Sequence, residues 1–211
     1  IGQVGKVYFM SHLACADERD KPCTRDQLQC FHDATDALTG ERSLANSAAT
    51  LAWPDSHFDW IRPVIMLYGS SPLAGATAQE LDLQPVMTLE SRLIAVNSQP
   101  QGEAVGYGGD WVCPEPMRIG VAAMGYGDGY PRHLPSGTPV LVDGRPAALA
   151  GRVSMDMITI DLRSTPEASV GDAVTLWGSG LPVDDIAERA GTIAYELLCG
   201  VTGRVPRVYR D

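Results

Sequence analysis

The sequence has few basic residues and no long hydrophobic run, and each shortage excludes a class of partner. Sixteen Lys and Arg residues stand against 26 Asp and Glu residues, which gives a net charge of -10 at pH 7. A surface of that charge repels the phosphates of nucleic acids and of anionic membranes. No apolar run approaches the roughly 20 residues that a membrane span requires. We therefore expect neither a nucleic-acid partner nor a membrane partner.

Paired cysteines are also lacking. The five cysteines form an odd set without a C-x-x-C pair, and they stand at Cys15, Cys23, Cys30, Cys113 and Cys199. Such usage favours reduced thiols over a disulfide framework or a zinc site. We expect a cytoplasmic protein without a structural metal.

The first part of the chain shows the alternation of a parallel α/β protein. The apolar runs Gly5–Met10, Ser43–Leu51 and Val64–Tyr68 predict strands, and helices are predicted at Thr24–Leu38 and near Asp55–Trp60. Strand, helix, strand, helix, strand is the order of a parallel sheet or barrel. Three strands are too few to close a barrel by themselves.

From residue 84 onwards, short β-like runs alternate with turn signals. The runs are Pro85–Val96, Glu103–Tyr107, Met117–Ala123, Thr138–Val142, Met155–Leu162 and Ala173–Trp177. Closely spaced short strands indicate a small all-β domain, either a barrel or a sandwich. Two late helices are predicted at Val183–Ala190 and Thr192–Cys199, and Ser70–Glu80 is the predicted linker between the two parts.

The stretch Val121–Arg132 combines an apolar run with glycine at alternate positions. Glycine lets the backbone turn tightly or approach another group closely, and each glycine weakens a plain strand. Tyr126 therefore leaves a strand end on a constrained loop, which suits a reactive phenol. The same motif also fits a Gly-rich hairpin with surface tyrosines.

Several polar groups stand at or near predicted strand ends in the first part. They are His12, Asn46, Ser47, Arg62 and the amides of Val64 and Ile65. In a barrel, the carboxyl ends of the strands meet on one face, where phosphate is commonly bound. The Ser47 hydroxyl and the two amides would donate to a phosphate, and Arg62 adds a permanent charge. Each group also has an ordinary interpretation as a strand cap, a turn cap or half of a salt bridge.

Taken together, eight stretches in the same order resemble bacterial alanine racemase, a fold-type III enzyme that uses pyridoxal 5'-phosphate. They are MSHLACADE (10–18), LANSAATLAWP (44–54), FDWIRPVIMLYG (58–69), PVMTLESRLIAV (85–96), VGYGGDW (105–111), MGYGDGYPR (124–132), GRVSMDM (151–157) and RVPRVY (204–209). These stretches extend over nearly the whole chain.

The resemblance implies a (β/α)8 barrel that carries the cofactor, followed by a mostly-β C-terminal domain. Residues 1–82 would be the last three strands of that barrel, and residues 83–211 the complete β domain. We therefore expect the chain to be the later part of a longer protein. The resemblance also implies a small amino-acid substrate and a homodimer whose subunits share their active sites.

Roles for single residues follow from the resemblance. Tyr126 resembles the tyrosine that exchanges the substrate α-proton on one face, in the active site of the partner subunit. Met155 resembles the methionine whose backbone contacts the substrate carboxylate, also across the dimer. Arg62 resembles the arginine that faces the pyridine nitrogen of the cofactor and keeps it unprotonated, because a guanidinium has no proton to accept. His12 resembles the residue that supports this arginine.

The resemblance also assigns a phosphate site and a substrate channel. Asn46 and Ser47, with the amides of Val64 and Ile65, match the phosphate site. Asp17 and Arg152 match residues that line the channel.

Two departures from the family pattern matter. Val64 stands where the family usually has glycine, so its side chain crowds the phosphate or requires a shifted backbone. The chain has only two lysines, Lys6 and Lys21. Neither stands in the motif of the lysine that holds the cofactor and acts as the second catalytic base.

Three functions stay open from the sequence. The first is an alanine racemase, which interconverts L- and D-alanine by a two-base mechanism, for peptidoglycan or for alanine catabolism. The second is a racemase of broader specificity. The third is a non-catalytic β-domain module that dimerises or binds a ligand. Without the lysine of the family, we expect these 211 residues to be inactive by themselves.

Overall fold

The chain forms two compact units that meet in sequence between Gln84 and Pro85. The structure is a computed structural model that describes residues 5–210. We call the part up to Gln84 the α/β unit and the part from Pro85 the β unit. No helix among residues 5–210 has the length and apolar character of a membrane span.

The α/β unit is built on a parallel pair of strands. Strand β1 (Tyr8–Met10) leads through helix α1 (Cys23–Thr35) to strand β2 (Glu41–Ser43), and the two strands pair in parallel. Trp60 continues this arrangement, because it forms a parallel bridge with Ser43. The predicted order of strand, helix and strand is therefore found here, although the second strand ends at Ser43, where the prediction begins it.

The predicted strand Ser43–Leu51 is wrong. Only its first residue lies in β2, and helix α2 (Ser47–Ala52) follows after a short break. Asn46 has an extended backbone, and its Oδ1 accepts a hydrogen bond from the N–H of Ala49 at 3.0 Å. Such an N-cap satisfies an amide that the first helical turn leaves without a partner.

The predicted strand Val64–Tyr68 is also wrong. Residues Ile65–Tyr68 form a 3-10 helix, which ends at Gly69 in the left-handed region with φ of 80°. A short apolar run fits a buried strand and a buried helical turn equally well, so its composition does not decide between them. The predicted helix near residues 55–60 is reduced to the 3-10 helix Pro54–Ser56.

The core of the α/β unit is small and rich in alanine. Its buried members are Leu13, Ala16, Phe31, Leu44, Ala45, Ala48, Ala49 and Leu73. Other apolar side chains of this unit are exposed, among them Tyr8, Met10, Trp60, Leu67 and Tyr68. Apolar groups that lie along a strand and its neighbours in this way are typical of a surface that another part of a protein covers.

The β unit is a closed six-stranded antiparallel barrel in the order β10-β3-β6-β9-β8-β7. Its strands are β3 (Leu89–Gln99), β6 (Met117–Ala122), β7 (Pro139–Val142), β8 (Arg145–Leu149), β9 (Ile158–Asp161) and β10 (Ala173–Trp177). Closure pairs every strand on both sides and so removes exposed edges. Of the two predicted all-β forms, the barrel is confirmed.

The sequence predicts neither β8 nor the short strand Trp111–Val112 (β5), although a turn signal precedes β8. A hairpin joins β7 to β8 through Asp143 and Gly144, whose φ values are 48° and 74°. Positive φ at both central residues defines the type I' turn that Asp-Gly favours. Outside the barrel, β4 (Ala104–Val105) pairs with β5 (Trp111–Val112).

Two helices close the β unit. Helix α3 (Val183–Ala190) has the predicted bounds and ends at Gly191, which has a left-handed backbone with φ of 66°. Helix α4 (Ala194–Gly200) begins two residues later than predicted. The segment that follows α4, residues 201–210, has no regular secondary structure.

Candidate functional site

Tyr126 lies on a tight loop that follows β6, as predicted. We call residues 124–130 the Tyr126 loop. Within it, the N–H of Gly125 donates to Asp128 Oδ2 at 2.9 Å, and the N–H of Asp128 donates to the carbonyl of Gly125 at 3.0 Å. The loop is therefore closed on itself around Tyr126, whose residue surface is 39% exposed.

The glycines of this loop are needed for close backbone approach, which confirms the sequence prediction. A Cβ at Gly125 would overlap the carbonyl oxygens of Ser154 and Met155. A Cβ at Gly129 would overlap the carbonyl oxygen of Gly200, and Gly129 also has a φ of 106° that other residues rarely adopt. The loop thus lies directly on two other backbone segments of the β unit.

The end of the loop is anchored in the barrel core. Tyr130 is fully buried, and its ring stacks on that of Trp177 with 5.9 Å between the ring centroids. Burial raises the pKa of the Tyr130 phenol, so this tyrosine stays protonated and has a structural role.

Met155 lies beside Tyr126. The N–H of Tyr126 donates to the carbonyl of Ser154 at 3.0 Å, and the N–H of Gly127 donates to the carbonyl of Met155 at 2.8 Å. Met155 is 52% exposed. Because backbone bonds join their two segments, the structure brings together two residues that the sequence predicted for one site.

Arg152 precedes this segment and lines a cleft of about 430 Å³ in the β unit. Its guanidinium forms an ion pair with Asp110, which lies after the glycine-rich turn at residues 106–109. Tyr107, Val121 and Met157 also line the cleft, so most of its wall is apolar. Arg152 adds a positive charge at this wall.

Arg62 is fixed at the carboxyl ends of the two parallel strands. Its Nη1 donates to Ser43 Oγ at 2.6 Å, and its Nη2 donates to the carbonyl of Ser11 at 2.7 Å. Ser43 is the last residue of β2, and Ser11 follows β1. His12 is exposed next to Ser11. That His12 supports Arg62 stays a prediction.

The predicted phosphate residues lie together in the α/β unit. The N–H of Val64 donates to Ser47 Oγ at 2.7 Å. Ser47 is the first residue of α2 and only 1% exposed, and Ile65 is the first residue of the 3-10 helix. Amides in a first helical turn have no partner inside their helix. A buried hydroxyl and such amides therefore meet at one place.

Asp17, predicted to line a substrate channel, lies in the loop between β1 and α1. Its carbonyl accepts a hydrogen bond from the N–H of Ala74 at 3.2 Å, and its side chain is exposed. No group of three or more His, Cys, Asp and Glu side chains with the spacing of a metal site occurs within residues 5–210.

Sequence reasoning missed the residues that hold the Tyr126 loop from outside. Arg204 pairs with Asp128 and Asp156, and Thr202 bonds to the backbone of the loop. The signal was a carboxylate within each of two glycine-containing motifs and an arginine in the last one. Asp128, Asp156 and Arg204 stand in stretches that carry the family resemblance, but the sequence assigns no role to these three residues.

We expect Asn46→Ala to lower the free energy of unfolding of the α/β unit by about 1 kcal/mol, because the N-cap bond to the Ala49 amide is lost. Asn46→Ser is the matched control: like Ala it loses the hydrogen bond from Asn46 Nδ2 to the carbonyl of Leu13, but it keeps an oxygen that accepts from the Ala49 amide. We expect Asn46→Ser to cost less than Asn46→Ala. Denaturant unfolding of the intact protein, followed by tryptophan fluorescence, compares the two variants. Equal losses for Ala and Ser would contradict the capping role.

Comparison with known protein families matches both units of the chain to one family. Residues 2–72 match the family description "Alanine racemase, N-terminal domain", and residues 86–209 match "Alanine racemase, C-terminal domain". The alanine racemase of Nitrosococcus oceani is 59% identical over 202 residues, which cover 95% of this chain and 56% of that protein.

Solved structures give the same result. The biosynthetic alanine racemase from Pseudomonas aeruginosa has 55% identity and a TM-score of 0.93, over 99% of this chain and 58% of that one. The alanine racemase from Bartonella henselae, solved with covalently bound pyridoxal phosphate, has 29% identity and a TM-score of 0.86, over 96% of this chain and 56% of that one.

The relatives share one class, which is that of two-domain amino-acid racemases. The chain belongs to the alanine racemase family. It spans a little over half the length of the curated relatives that it matches.

Proposed function

We propose that the chain is the later part of an alanine racemase, the isomerase that interconverts L- and D-alanine. The observation that carries this proposal is the closed loop that presents Tyr126 beside Met155. The identity of 59% to an alanine racemase over nearly the whole chain supports it. The protein would act in the cytoplasm and supply D-alanine for peptidoglycan or take part in alanine catabolism.

In this proposal, residues 1–82 are the last part of a (β/α)8 barrel and residues 83–211 are the C-terminal β domain. The parallel pairing of β1 with β2, continued by the bridge at Trp60, supports the barrel assignment. The exposed apolar side chains around these strands support it too, because the remaining barrel strands and helices would cover them.

The residues of the α/β unit fit pyridoxal 5'-phosphate as the cofactor. Ser47 Oγ and the amide of Ile65 would donate to the phosphate. The Val64 amide, which donates to Ser47 Oγ in this structure, would join them by turning from Ser47 to the phosphate. Arg62 would face the ring nitrogen, and its guanidinium is already fixed by Ser11 and Ser43. When bound, the cofactor acts as an electron sink for the negative charge that develops at the substrate Cα.

Tyr126 would exchange the α-proton on one face of the substrate. A phenol positioned at the reacting carbon contributes as a general acid or base. The base for the other face would be the lysine of the family, which neither Lys6 nor Lys21 matches. The two faces together give a two-base racemisation.

Met155 would bind the substrate carboxylate through its backbone. Its carbonyl already accepts a hydrogen bond from Gly127, so its N–H is the group that would donate to the carboxylate. Tyr126 and Met155 would serve the active site of the partner subunit in a homodimer. Arg152 and Asp17 would line the channel by which the amino acid reaches that site.

Assays of the intact racemase and of the 211-residue chain test the proposal. We expect the intact enzyme to racemise L- and D-alanine, followed by circular dichroism, and to retain the cofactor on a lysine after borohydride reduction. The 211-residue chain alone should do neither. Faster turnover of other amino acids would favour the broader racemase, and no turnover by the intact protein would favour a non-catalytic module.

We expect Ser47→Ala to weaken cofactor binding by the intact enzyme about tenfold, because a hydrogen bond to a charged phosphate is worth about 1.5 kcal/mol or more. Absorbance titration of the apoenzyme with pyridoxal 5'-phosphate measures this. Ser56→Ala is the matched control, since Ser56 is another buried serine of the same unit and its hydroxyl donates to the backbone carbonyl of Trp53 at 2.7 Å. Equal affinities in the two variants would contradict the phosphate role.

A further inference from the structure

We propose that Arg204 is a positioning residue that holds the Tyr126 loop against the segment that carries Met155. This inference rests on the proposed function, since it concerns the geometry of the same site. It concerns a residue that does not touch the reacting atoms and acts through two carboxylates.

The guanidinium of Arg204 joins the two segments directly. Its Nη2 donates to Asp156 Oδ1 at 2.6 Å, and its Nε lies 3.2 Å from Asp128 Oδ1. Asp156 follows Met155 in sequence, and Asp128 lies two residues after Tyr126. One side chain from the C-terminal part of the chain therefore bridges the neighbours of both site residues.

Asp128 connects this bridge to the shape of the Tyr126 loop. Its Oδ2 accepts from the N–H of Gly125, while its Oδ1 faces Arg204. The Asp128 side chain is only 13% exposed, so its charge needs a nearby partner. Arg204 supplies that charge. The pKa of Arg204 is raised, mainly by its hydrogen bond to Asp156 and then by the negative charge of Asp128. The same carboxylate thus closes the loop and receives the guanidinium.

The surrounding backbone is shaped to admit the guanidinium. A Cβ at Gly127 would overlap Arg204 Nη1, so a side chain at this position would displace the guanidinium from its place between the two carboxylates. Thr202 adds two bonds of its own. Its N–H donates to the carbonyl of Asp128 at 3.0 Å, and its Oγ1 donates to the carbonyl of Gly127 at 3.0 Å.

Loss of this bridge should affect the reaction selectively. Without Arg204, the largely buried Asp128 carboxylate loses its cation, and the turn around Tyr126 is free to shift relative to Met155. A displacement of about 1 Å of a reacting group costs about 100-fold in rate. The proton transfer on the Tyr126 face should slow, whereas the transfer on the opposite face does not depend on this loop.

Kinetic isotope effects on the intact racemase test the inference. We expect Arg204→Met to lower kcat about 10- to 100-fold. With Cα-deuterated substrates, the isotope effect should rise for the enantiomer whose proton Tyr126 removes. It should fall for the other enantiomer, because the return of a proton by Tyr126 then limits the rate. Arg204→Lys should recover part of the rate, because its ammonium still pairs with one of the two carboxylates.

Arg163→Met is the matched control. Arg163 is also a partly exposed arginine of the β unit, and it also pairs with two carboxylates, those of Asp161 and Glu115. We expect its kcat to stay within twofold of the wild type. If Arg204→Met behaves like this control, or if its isotope effects for both enantiomers change equally, Arg204 does not position Tyr126.

A second variant keeps the test decisive if Arg204→Met does not fold. Asp156→Asn still accepts the hydrogen bond from Arg204 but removes the charge, so we expect a smaller fall in kcat with the same asymmetry in isotope effects. A symmetric change in this variant contradicts the inference. Tyr126→Phe, measured in parallel, separates the two proposals. If Tyr126→Phe racemises alanine at the wild-type rate, the proposed function fails. If Tyr126→Phe is slow but the Arg204 and Asp156 variants show no asymmetry in isotope effects, only this inference fails.

Discussion

In the intact racemase, Tyr126→Phe is expected to lower the rate of alanine racemisation about 1,000-fold, because a positioned acid or base contributes about 100- to 10,000-fold to a rate. The remaining base should still remove and return a proton on its own face. In D2O, one enantiomer of alanine should therefore exchange its α-proton for deuterium without inversion, while the other exchanges slowly. Proton NMR of both enantiomers shows this asymmetry directly.

Tyr195→Phe is the control for this experiment. Tyr195 lies on α4 of the same unit and is as exposed as Tyr126, at 39% for each residue. We expect this variant to racemise at the wild-type rate. Slow exchange of both enantiomers in Tyr126→Phe would indicate a general loss of structure, and unchanged rates in both directions would exclude Tyr126 as a base.

Gly129→Ala should cost about 3 kcal/mol of stability and most of the activity. Its φ of 106° is strained for alanine, and the added Cβ would overlap the carbonyl oxygen of Gly200. Backbone strain of this kind and overpacking each cost about 1–3 kcal/mol. Because backbone atoms on both sides resist movement, the Tyr126 loop must shift, and kcat should fall together with the stability.

Gly137→Ala separates the two causes. Gly137 also has a left-handed φ, of 86°, but no atom lies within 4 Å of its added Cβ. We expect it to cost about 1 kcal/mol, from backbone strain alone, and to leave kcat unchanged. Denaturant unfolding and racemisation assays compare the two variants. Equal losses of stability would show that contact with Gly200 does not constrain the loop.

The errors in the predicted fold have a common physical cause. The segments at residues 43–51 and 64–68 are short and apolar, and such segments lack the length that distinguishes the periodicity of a strand from that of a helix. For the first, the decisive group is a single capping oxygen on Asn46, whose bond to Ala49 forms only in the folded helix. For the second, Gly69 ends a 3-10 helix that leaves Leu67 and Tyr68 exposed.

The candidate site was predicted residue by residue, but its connections were not. The glycines around Tyr126 predicted a tight turn or a close backbone approach, because both favour a residue without a Cβ. That they approach the backbone of Ser154, Met155 and Gly200 depends on how the barrel brings distant loops together. Strand order and register set these contacts, and neither can be read from the loop itself.

Residue patterns alone predict the first strand, helix and strand, the short strands of the second part and the location of Tyr126 after a strand, and the matching stretches predict the family. These features depend on neighbouring residues, whose patterns are local. The fold alone sets the closure of the β strands into a barrel, the contact of Ser47 with the Val64 amide and the bridge from Arg204 to Asp128 and Asp156. Such contacts join residues far apart in sequence, and they form only when the folded chain brings both partners together, which no local pattern describes.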